Sequence, residues 1–449
     1  KDLFRLTHQS MANKELFATI SKYSAEVGDA ENLSEVIANA FQSATQGKQG
    51  AAFVSIPQDV DDSVVDSPAL APLAEPKLGS ADKASIAELV RRIKTAQLPV
   101  LLVGMRASSP EVTAAIRKLV KTAKIPVVET FQGAGIISED LEQNYFFGRV
   151  GLFRNQPGDK LLKHADLVVT VGYDAIEYEP RNWNAEQDAV ITVIDTEAPQ
   201  LDKHFQPTTE LIGDIAATVD QLDEELGSYE PSKGSQHYLQ TLHEEIEADQ
   251  KQTPPAGVGN TNHPLAVIQA LQARVDNKMT VSVDVGSHYI WMARHFRSYE
   301  PRHLLFSNGM QTLGVALPWS ISAALLRPNA KSVSVSGDAG FLFTGQELET
   351  AVRLGLNTVH IIWNDGYYDM VKFQEEMKYG RNAAVTFGPV DYVKYAESFG
   401  ATGLRVETPD QLEDVLDQAF STSGPVVVDI PIDYSHNPEL GKTLLPDQF

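Results

Sequence analysis

The chain contains 449 residues, of which 43% are hydrophobic, and it carries a formal net charge of −23 and no cysteine. A chain of this length is expected to fold into about two to four domains. The acidic charge disfavours nucleic acid and anionic membranes as partners, and no apolar run is long enough to span a membrane. The lack of cysteine excludes disulfides, thiolate nucleophiles and cysteine-based metal centres, and it fits a cytoplasmic protein.

The first 70 residues predict one helix, over residues 33–44, and one strand, over residues 50–57. Two elements are too few for a doubly wound domain. Residues 66–80 are rich in proline and alanine and predict an extended linker.

Strands and helical patterns alternate between residues 81 and 225. The strands are almost continuously apolar, which is typical of a parallel sheet buried on both faces. They are predicted at residues 99–104, 125–130, 166–172, 189–195 and 210–213. The region 226–262 is polar, is interrupted by Pro254 and Pro255, and predicts a second linker that contains one helix.

The alternation resumes at residue 263 and continues to the end of the chain. Strands are predicted at residues 280–285, 303–307, 332–336, 358–363 and 425–430. The whole pattern predicts an α/β protein built from doubly wound parallel sheets.

Two of these strands end in acidic residues. The strand over residues 332–336 stops at Gly337-Asp338, and the strand over residues 358–363 stops at Asn364-Asp365. Between them lies a helical pattern whose apolar face would be formed by Leu348, Ala351, Val352 and Leu354. A strand–helix–strand unit makes the strands parallel, so both carboxylates should lie at the carboxyl edge where open α/β sheets bind ligands. Two carboxylates and a loop carbonyl suit Mg²⁺ that bridges a diphosphate; the alternative is an ordinary sheet with polar strand ends.

This stretch resembles the signature of thiamine-diphosphate-dependent enzymes, which is Gly-Asp-Gly followed further along the chain by Asn-Asn or Asn-Asp. Ala339 stands where the family has its second glycine. The resemblance implies that the side chains of Asp338 and Asp365 and the backbone oxygen of Tyr367 bind Mg²⁺. It also implies that the diphosphate is contacted by Gly337, Asp338, Ala339, Gly340, Asp365 and Tyr367.

Four further segments resemble one branch of this family, the FAD-independent catabolic acetolactate synthases. They are residues 7–11, 148–159, 307–319 and 368–374, so the resemblance covers essentially the whole chain. Members of this branch condense two pyruvates into 2-acetolactate with release of CO₂, through a hydroxyethyl-thiamine-diphosphate carbanion, on the way to acetoin. The alternatives are a pyruvate oxidase or decarboxylase of the same family, and a truncated form that binds the cofactor without catalysis.

The resemblance implies a three-domain order. Residues 1–70 match only the C-terminal remnant of a pyrimidine-binding domain, residues 81–225 a Rossmann-like central domain, residues 226–262 a linker, and residues 263–449 the diphosphate- and Mg²⁺-binding domain. The pyrimidine-binding domain would thus be mostly missing, with roughly a hundred residues of it preceding Lys1. The glutamate that activates the cofactor in the family would lie in that missing part.

A turn at Gly286, Ser287 and His288 follows a strand and precedes a helix, which suits backbone donation to phosphate oxygens. By resemblance, these three residues contact the diphosphate. The alternative for His288 is a strand-end histidine with local hydrogen bonds.

The segment 309–314 matches backbone contacts with the aminopyrimidine, which places Gln311 at the cofactor. Leu313 matches the apolar wedge that bends the cofactor; the alternative is a glycine-rich turn with Leu313 in the core. After the metal loop, three residues match the lining of the diphosphate and thiazolium side, with the first turn of a helix as the alternative: Tyr368, Met370 and Val371.

On the substrate side, His8 and Gln9 match a segment that reaches the pocket, and Gln58 stands where FAD-dependent relatives carry lysine. Gln9, Leu313 and Met370 are therefore the candidate catalytic residues. The alternative for the two N-terminal residues is a surface loop ahead of a helix.

No FAD is expected. Residues 172–179 replace an arginine-containing string of FAD-binding relatives, so the partners of a flavin diphosphate are lost and acidic side chains would repel it. The central domain would then be structural, with Arg154 and Asn155 lining a channel. Because the family's cofactor lies between two subunits, the resemblance implies a homodimer or homotetramer that acts on pyruvate.

Overall fold

The computed structural model describes residues 11–71, 77–151 and 156–441. They form two compact units, which divide between Gly79 and Ser80. His8, Gln9, Arg154 and Asn155 lie outside the described residues. Within the described ranges, no helix combines the length and the apolar character that crossing a membrane requires.

The first unit is a parallel pair of strands with three helices. Its elements are α1 (Asn13–Phe17), β1 (Tyr23–Glu26), α2 (Leu33–Thr45), β2 (Ala52–Ser55) and α3 (Gln58–Asp61). β1 pairs in parallel with β2, and the rings of Phe17 and Phe53 stack with their centroids 4.0 Å apart. The predicted helix and strand are confirmed as α2 and β2, whereas β1 has no counterpart in the prediction.

The second unit begins with a six-stranded, all-parallel sheet. Its strands are β3 (Pro99–Val103), β4 (Val127–Thr130), β5 (Phe146–Val150), β6 (Leu167–Val171), β7 (Val190–Asp195) and β8 (Thr209–Ile212). Its helices are α4 (Lys83–Thr95), α5 (Pro110–Ala123), α6 (Glu139–Tyr145), α7 (Pro157–His164), α8 (Ile215–Leu226) and α9 (Lys233–Gln250). The five predicted strands are confirmed, and β5 is additional.

The strand order of this central sheet is β5-β4-β3-β6-β7-β8, so the order reverses between β3 and β6. Helix α9 is the helix predicted within the polar region 226–262. Leu242 and Ile246 on this helix are buried against the central sheet, so that part of the region is packed structure. The domain boundaries at residues 225 and 263 stay a prediction.

Local sequence explains where the helices start and stop. Helix α5 begins at Pro110, directly after Ser109, whose hydroxyl accepts a hydrogen bond from the N–H of Val112 at 3.2 Å. It ends at Ala123, and the next residue, Lys124, adopts a left-handed conformation. Serine at the cap and proline in the first turn are common helix-start signals because they satisfy or remove unpaired N–H groups.

A second six-stranded parallel sheet occupies the C-terminal part. Its strands are β9 (Thr280–Val283), β10 (Leu304–Phe306), β11 (Ser332–Gly337), β12 (Thr358–Asn364), β13 (Thr402–Arg405) and β14 (Val426–Pro431). Its helices are α10 (Pro264–Gln272), α11 (Ser287–His295), α12 (Ala316–Leu326), α13 (Asp338–Phe341), α14 (Leu348–Arg353), α15 (Asp369–Tyr379), α16 (Tyr392–Ser398), α17 (Leu412–Ser421) and α18 (Asn437–Gly441). The five predicted strands are again confirmed, and β13 is additional.

The order of this sheet is β10-β9-β11-β12-β14-β13, which reverses between β9 and β11. In doubly wound sheets such a reversal opens a crevice at the carboxyl ends of the strands. The predicted apolar face between β11 and β12 is correct for Leu348 and Ala351, which are buried. It is wrong for Leu354, which follows the end of α14 and is 44% exposed.

Candidate active site

Asp338 and Asp365 meet at the carboxyl edge of the C-terminal sheet. Strands β11 and β12 pair in parallel, with Gly337 opposite Trp363, so both carboxylates follow at the same edge. One carboxylate oxygen of Asp338 accepts hydrogen bonds from the backbone N–H of Asp365 at 3.2 Å and of Gly366 at 2.7 Å. The predicted juxtaposition of the two strand ends is confirmed.

These carboxylates form an anionic cluster with Asp369. Burial raises the pKa of Asp338 to about 6 against the effect of its backbone donors. Burial, followed by the charges of Asp369 and Asp338, raises the pKa of Asp365, and burial also raises the pKa of Asp369. Crowded carboxylates resist ionisation together, so a divalent cation would stabilise their charged forms.

The donor set fits Mg²⁺. The described residues contain no group of three histidine or acidic side chains placed as metal ligands. Mg²⁺ does not need such a group, because it is commonly bound by one or two carboxylates together with phosphate oxygens and water. The predicted set of Asp338, Asp365 and the carbonyl of Tyr367 has this composition.

The turn at Gly286 and His288 packs against the loop that begins at Gly337. Gly286 has a φ of +154°, and a Cβ there would lie 2.7 Å from the His288 ring. A Cβ on Gly337 would lie 3.5 Å from the same ring, so the ring packs between the loops that follow β9 and β11. Burial lowers the pKa of His288 to about 3, and its Nε2 finds no hydrogen-bond partner among the described residues. A neutral ring with one unpaired nitrogen leaves room for a polar ligand group.

The hydroxyl of Ser287 is already engaged. It donates to Asp369 at 2.5 Å and accepts from the side chain of Asn437 at 3.0 Å. The diphosphate contact predicted for Ser287 would therefore use its backbone N–H, at the first position of α11. Helix N-termini carry unpaired N–H groups that suit anions.

Helix α11 runs from this turn to the central sheet. At its far end, Arg149 on β5 donates to the carbonyls of Ala293 at 3.2 Å and Phe296 at 2.7 Å. Glu129 on β4 lies 3.5 Å from the guanidinium, and both side chains are buried. The two sheets thus hold opposite ends of one helix, with a cation at the end where the helix dipole favours it.

The segment 309–314 bends sharply beside the crevice. Gly309 and Gly314 have φ of +74° and +81°, and Gln311 has a φ of +49°, which is uncommon for a residue with a side chain. Leu313 is half-buried. This burial does not distinguish a residue that presses on the cofactor from a residue of the core. Asp284, directly after β9, holds the end of the segment by accepting from the N–H of Gly314.

Tyr368, Met370 and Val371 occupy the start of α15. Tyr368 and Val371 are exposed at 39% and 46%, whereas Met370 packs against the core. The two exposed side chains are available to a ligand, so both the lining role and the helix-turn alternative remain compatible with their position. Gln58, in the first unit, is exposed at the start of α3.

Three buried polar residues at this edge are absent from the sequence prediction: Asp284, Asp369 and Asn437. Asp284 has a recognisable signal, because it follows an apolar strand as Asp338 does. Asp369 lies within the segment 368–374, but nothing there distinguishes it from its neighbours, and Asn437 has no signal because its side-chain partners are distant in sequence.

The reversal point of the central sheet is filled by the chain itself. Arg106, just after β3, forms ion pairs with Asp195 at 2.6 Å and Asp174 at 3.0 Å. A Cβ on Gly172 would lie 2.4 Å from the backbone nitrogen of Ala107, so the loops after β3 and β6 touch. Asp174, one of the acidic residues expected to repel a flavin, is paired with Arg106, and the expected repulsion stays a prediction.

Comparison with known proteins agrees with this geometry. Residues 284–430 match the family model "Thiamine pyrophosphate enzyme, C-terminal TPP binding domain", and residues 86–222 match the model of the central domain. An acetolactate synthase of Bacillus subtilis is 51% identical over 448 residues, which is 100% of this chain and 78% of that protein.

Two other relatives carry related names. A catabolic acetolactate synthase of Raoultella terrigena is 41% identical over 98% of this chain and 78% of its own length. The large subunit of acetolactate synthase isozyme 2 of Escherichia coli is 26% identical over 93% of this chain and 74% of its own length. The chain therefore belongs to the thiamine pyrophosphate enzyme family, among relatives named acetolactate synthase.

Proposed function

We propose that the protein is an acetolactate synthase, which condenses two pyruvates into 2-acetolactate and releases one CO₂. The observation that carries the proposal is the pairing of Asp338 with the backbone of Asp365 and Gly366 at the reversal point of the sheet. That pairing occurs in a chain half-identical to a protein named acetolactate synthase.

Thiamine diphosphate and Mg²⁺ are the proposed cofactors. Asp338, Asp365 and the carbonyl of Tyr367 would hold the metal, which suits their oxygen-only chemistry. The diphosphate would lie between the turn at residues 286–288 and the loop at residues 337–340. When bound, the cofactor supplies an electron sink for the carbanion that decarboxylation of pyruvate leaves, a task no side chain performs.

The chain's own residues would orient the cofactor and exclude water. Backbone groups around Gln311 would contact the aminopyrimidine, and Leu313 would press on the cofactor from the apolar side. Met370, with Tyr368 and Val371, would line the diphosphate and thiazolium side. Gln9, Leu313 and Met370 are the proposed catalytic residues.

We propose that the central domain binds no FAD. Arg106 and its two carboxylate partners fill the crevice where a doubly wound sheet would hold a nucleotide. A flavin would have to displace these ion pairs and separate two touching loops. The domain would then be structural, within the proposed division 1–70, 81–225, 226–262 and 263–449.

Self-association into a homodimer or homotetramer is proposed from the resemblance. Exposed apolar side chains near the candidate site agree with this: Met310, Leu342 and Phe343 are 89%, 40% and 53% exposed. The cytoplasm is the proposed compartment, in line with the cysteine-free composition.

The test is a pyruvate assay on the full protein, with and without Mg²⁺ and thiamine diphosphate and with no FAD. Acetolactate is measured as acetoin after acid treatment. Formation of acetolactate only when both cofactors are present would support the proposal. Acetaldehyde or acetate in its place would point to a decarboxylase or an oxidase, and a requirement for FAD would contradict the proposed role of the central domain.

A further inference from the structure

Asn437 connects three segments beneath the candidate metal loop. Its Nδ2 donates to the hydroxyl of Ser287 at 3.0 Å and to a carboxylate oxygen of Asp369 at 2.6 Å. Its Oδ1 accepts from the indole N–H of Trp291 at 2.9 Å. Asn437 is 3% exposed, and its three partners are buried as well.

The orientation of the Asn437 amide follows from the chemistry of its partners. The indole N–H of Trp291 can only donate, so it requires the amide oxygen. The carboxylate of Asp369, when ionised, can only accept, so it requires the amide N–H₂. No other uncharged side chain of this size offers a donor and an acceptor in this arrangement.

The contacts join elements that are far apart in sequence. Ser287 is the first residue of α11, Asp369 is the first residue of α15, and Asn437 is the first residue of α18. The segment before α18 is itself fixed, because the N–H of Asn437 donates to the carbonyl of Tyr434, whose ring lies 6.3 Å from that of Trp363. The amide therefore ties the turn after β9 to the loop after β12 through the C-terminal segment.

We propose that Asn437 is a positioning residue that holds the diphosphate-binding turn and the metal loop in register for the cofactor. This inference rests on the proposed function, since it assumes that thiamine diphosphate and Mg²⁺ bind at this edge. Asn437 acts through Ser287 and Asp369 and touches neither cofactor itself. Without its two donated hydrogen bonds, the starts of α11 and α15 would keep the direct Ser287–Asp369 hydrogen bond but lose the amide that braces both side chains.

The inference predicts a specific pattern of cofactor affinity. Replacing Asn437 by alanine removes all three hydrogen bonds, so the Kd for thiamine diphosphate at saturating Mg²⁺ should rise about tenfold or more. Replacing it by aspartate keeps the shape but puts a carboxylate against Asp369, so the N437D variant should bind at least as poorly. Asn329→Ala, at an exposed turn, is the matched control and should leave the Kd unchanged.

Exchanging the side chains of residues 437 and 369 distinguishes a positioning role of Asn437 from a general loss of stability. In the double variant N437D/D369N, the amide of residue 369 donates to the new carboxylate, while Trp291 and Ser287 can still donate to it. The Kd of this variant should return to within about threefold of the original value. This comparison also decides the matter if N437A proves too unstable to titrate.

The experiment is calorimetric titration of the full protein with thiamine diphosphate at saturating Mg²⁺. A Kd of N437A within about threefold of the original, or a double variant no better than N437D, would overturn the inference. Tight binding by the unmodified protein with a product other than acetolactate would contradict the proposed reaction but not the role of Asn437. No binding by the unmodified protein would overturn both.

Discussion

Both carboxylate oxygens of Asp284 accept a hydrogen bond from the backbone N–H of Gly314, at 2.9 and 3.0 Å. Asp284 follows β9 and is 1% exposed, and Gly314 ends the bent segment that begins at Gly309. A charge on one strand end thus fixes the backbone of a loop that follows the neighbouring strand. Because Asp284 is buried, its ionisation makes the stability of the protein depend on pH.

Asp284→Asn should change how stability varies with pH. Burial raises the pKa of Asp284 from its ordinary 3.8 to about 6, so the folded protein binds this proton more tightly than the unfolded chain does. The stability that protonation of Asp284 contributes is therefore fully present below pH 3.8 and is lost as the pH rises through about 6. Because asparagine does not titrate, the stability of wild type relative to the variant should fall between pH 4 and pH 7.

Urea unfolding of both proteins across that pH range measures the effect. Parallel stability curves for wild type and D284N would contradict the raised pKa. Asp410→Asn, at an exposed position, provides the comparison for a carboxylate with no such burial.

Gly314→Ala should destabilise the fold far more than Gly424→Ala. Both glycines have a left-handed φ, +81° and +83°, so both substitutions strain the backbone. A Cβ on Gly314 would also lie 2.7 Å from the Cβ of Phe343, whereas a Cβ on Gly424 meets nothing within 4 Å. We expect a loss of about 3 kcal/mol for G314A and about 1 kcal/mol for G424A, measured by urea unfolding. Equal losses would show that the close contact relaxes without cost.

Much of the fold was predictable because strand patterns carry their own signal. The near-continuous apolar runs around Val168 and Ile361 belong to strands buried on both faces, and both were predicted. The two edge strands that were not predicted carry less signal than the edge strands β8 and β10, which were. β5 contains Gly148 at a φ of +97° beside a register shift, and β13 contains Gly403 and is only half-buried.

The site was predictable only where a motif carries it. Asp338 and Asp365 follow apolar strands, and their meeting depends only on parallel pairing. The partners of Asp369 and Asn437 depend on how α11, α15 and α18 pack, which no local pattern encodes. Asp284 is an intermediate case. Its position at the end of an apolar strand could be read from the sequence, but its hydrogen-bond partner, Gly314, could not.

Asp338→Asn should separate stability from cofactor binding. The neutral amide relieves a buried charge, but its N–H₂ replaces an oxygen that accepts a backbone N–H, so the two effects oppose and the unfolding midpoint without cofactor should change little. The stabilisation by Mg²⁺ and thiamine diphosphate, about 2.7 kcal/mol at one hundred times the Kd, should disappear. Thermal unfolding with and without both cofactors checks this, with Asp410→Asn as the control. A D338N protein that keeps the full thermal shift would remove Asp338 from the metal site.

Arg106→Ala should be strongly destabilising. Its partner Asp195 is almost fully buried, and removing one member of such a pair leaves an uncompensated charge. We expect a loss of about 3 kcal/mol, measured by urea unfolding. The control is Arg91→Ala, since Arg91 pairs with Glu88 on the surface of α4 and should change the midpoint little. A small effect of R106A would indicate that water or another side chain replaces the guanidinium.

The contact of Arg149 with the last turn of α11 has a consequence for chimeric proteins. In a chimera whose crossover lies between residues 150 and 287, α11 would come from one parent and Arg149 from the other. The two would still have to meet within hydrogen-bond distance. The chimera keeps these hydrogen bonds only if the last turn of α11 has the same position relative to β5 in both parents. The central sheet would then decide whether two parents can be recombined, because it fixes where α11 ends.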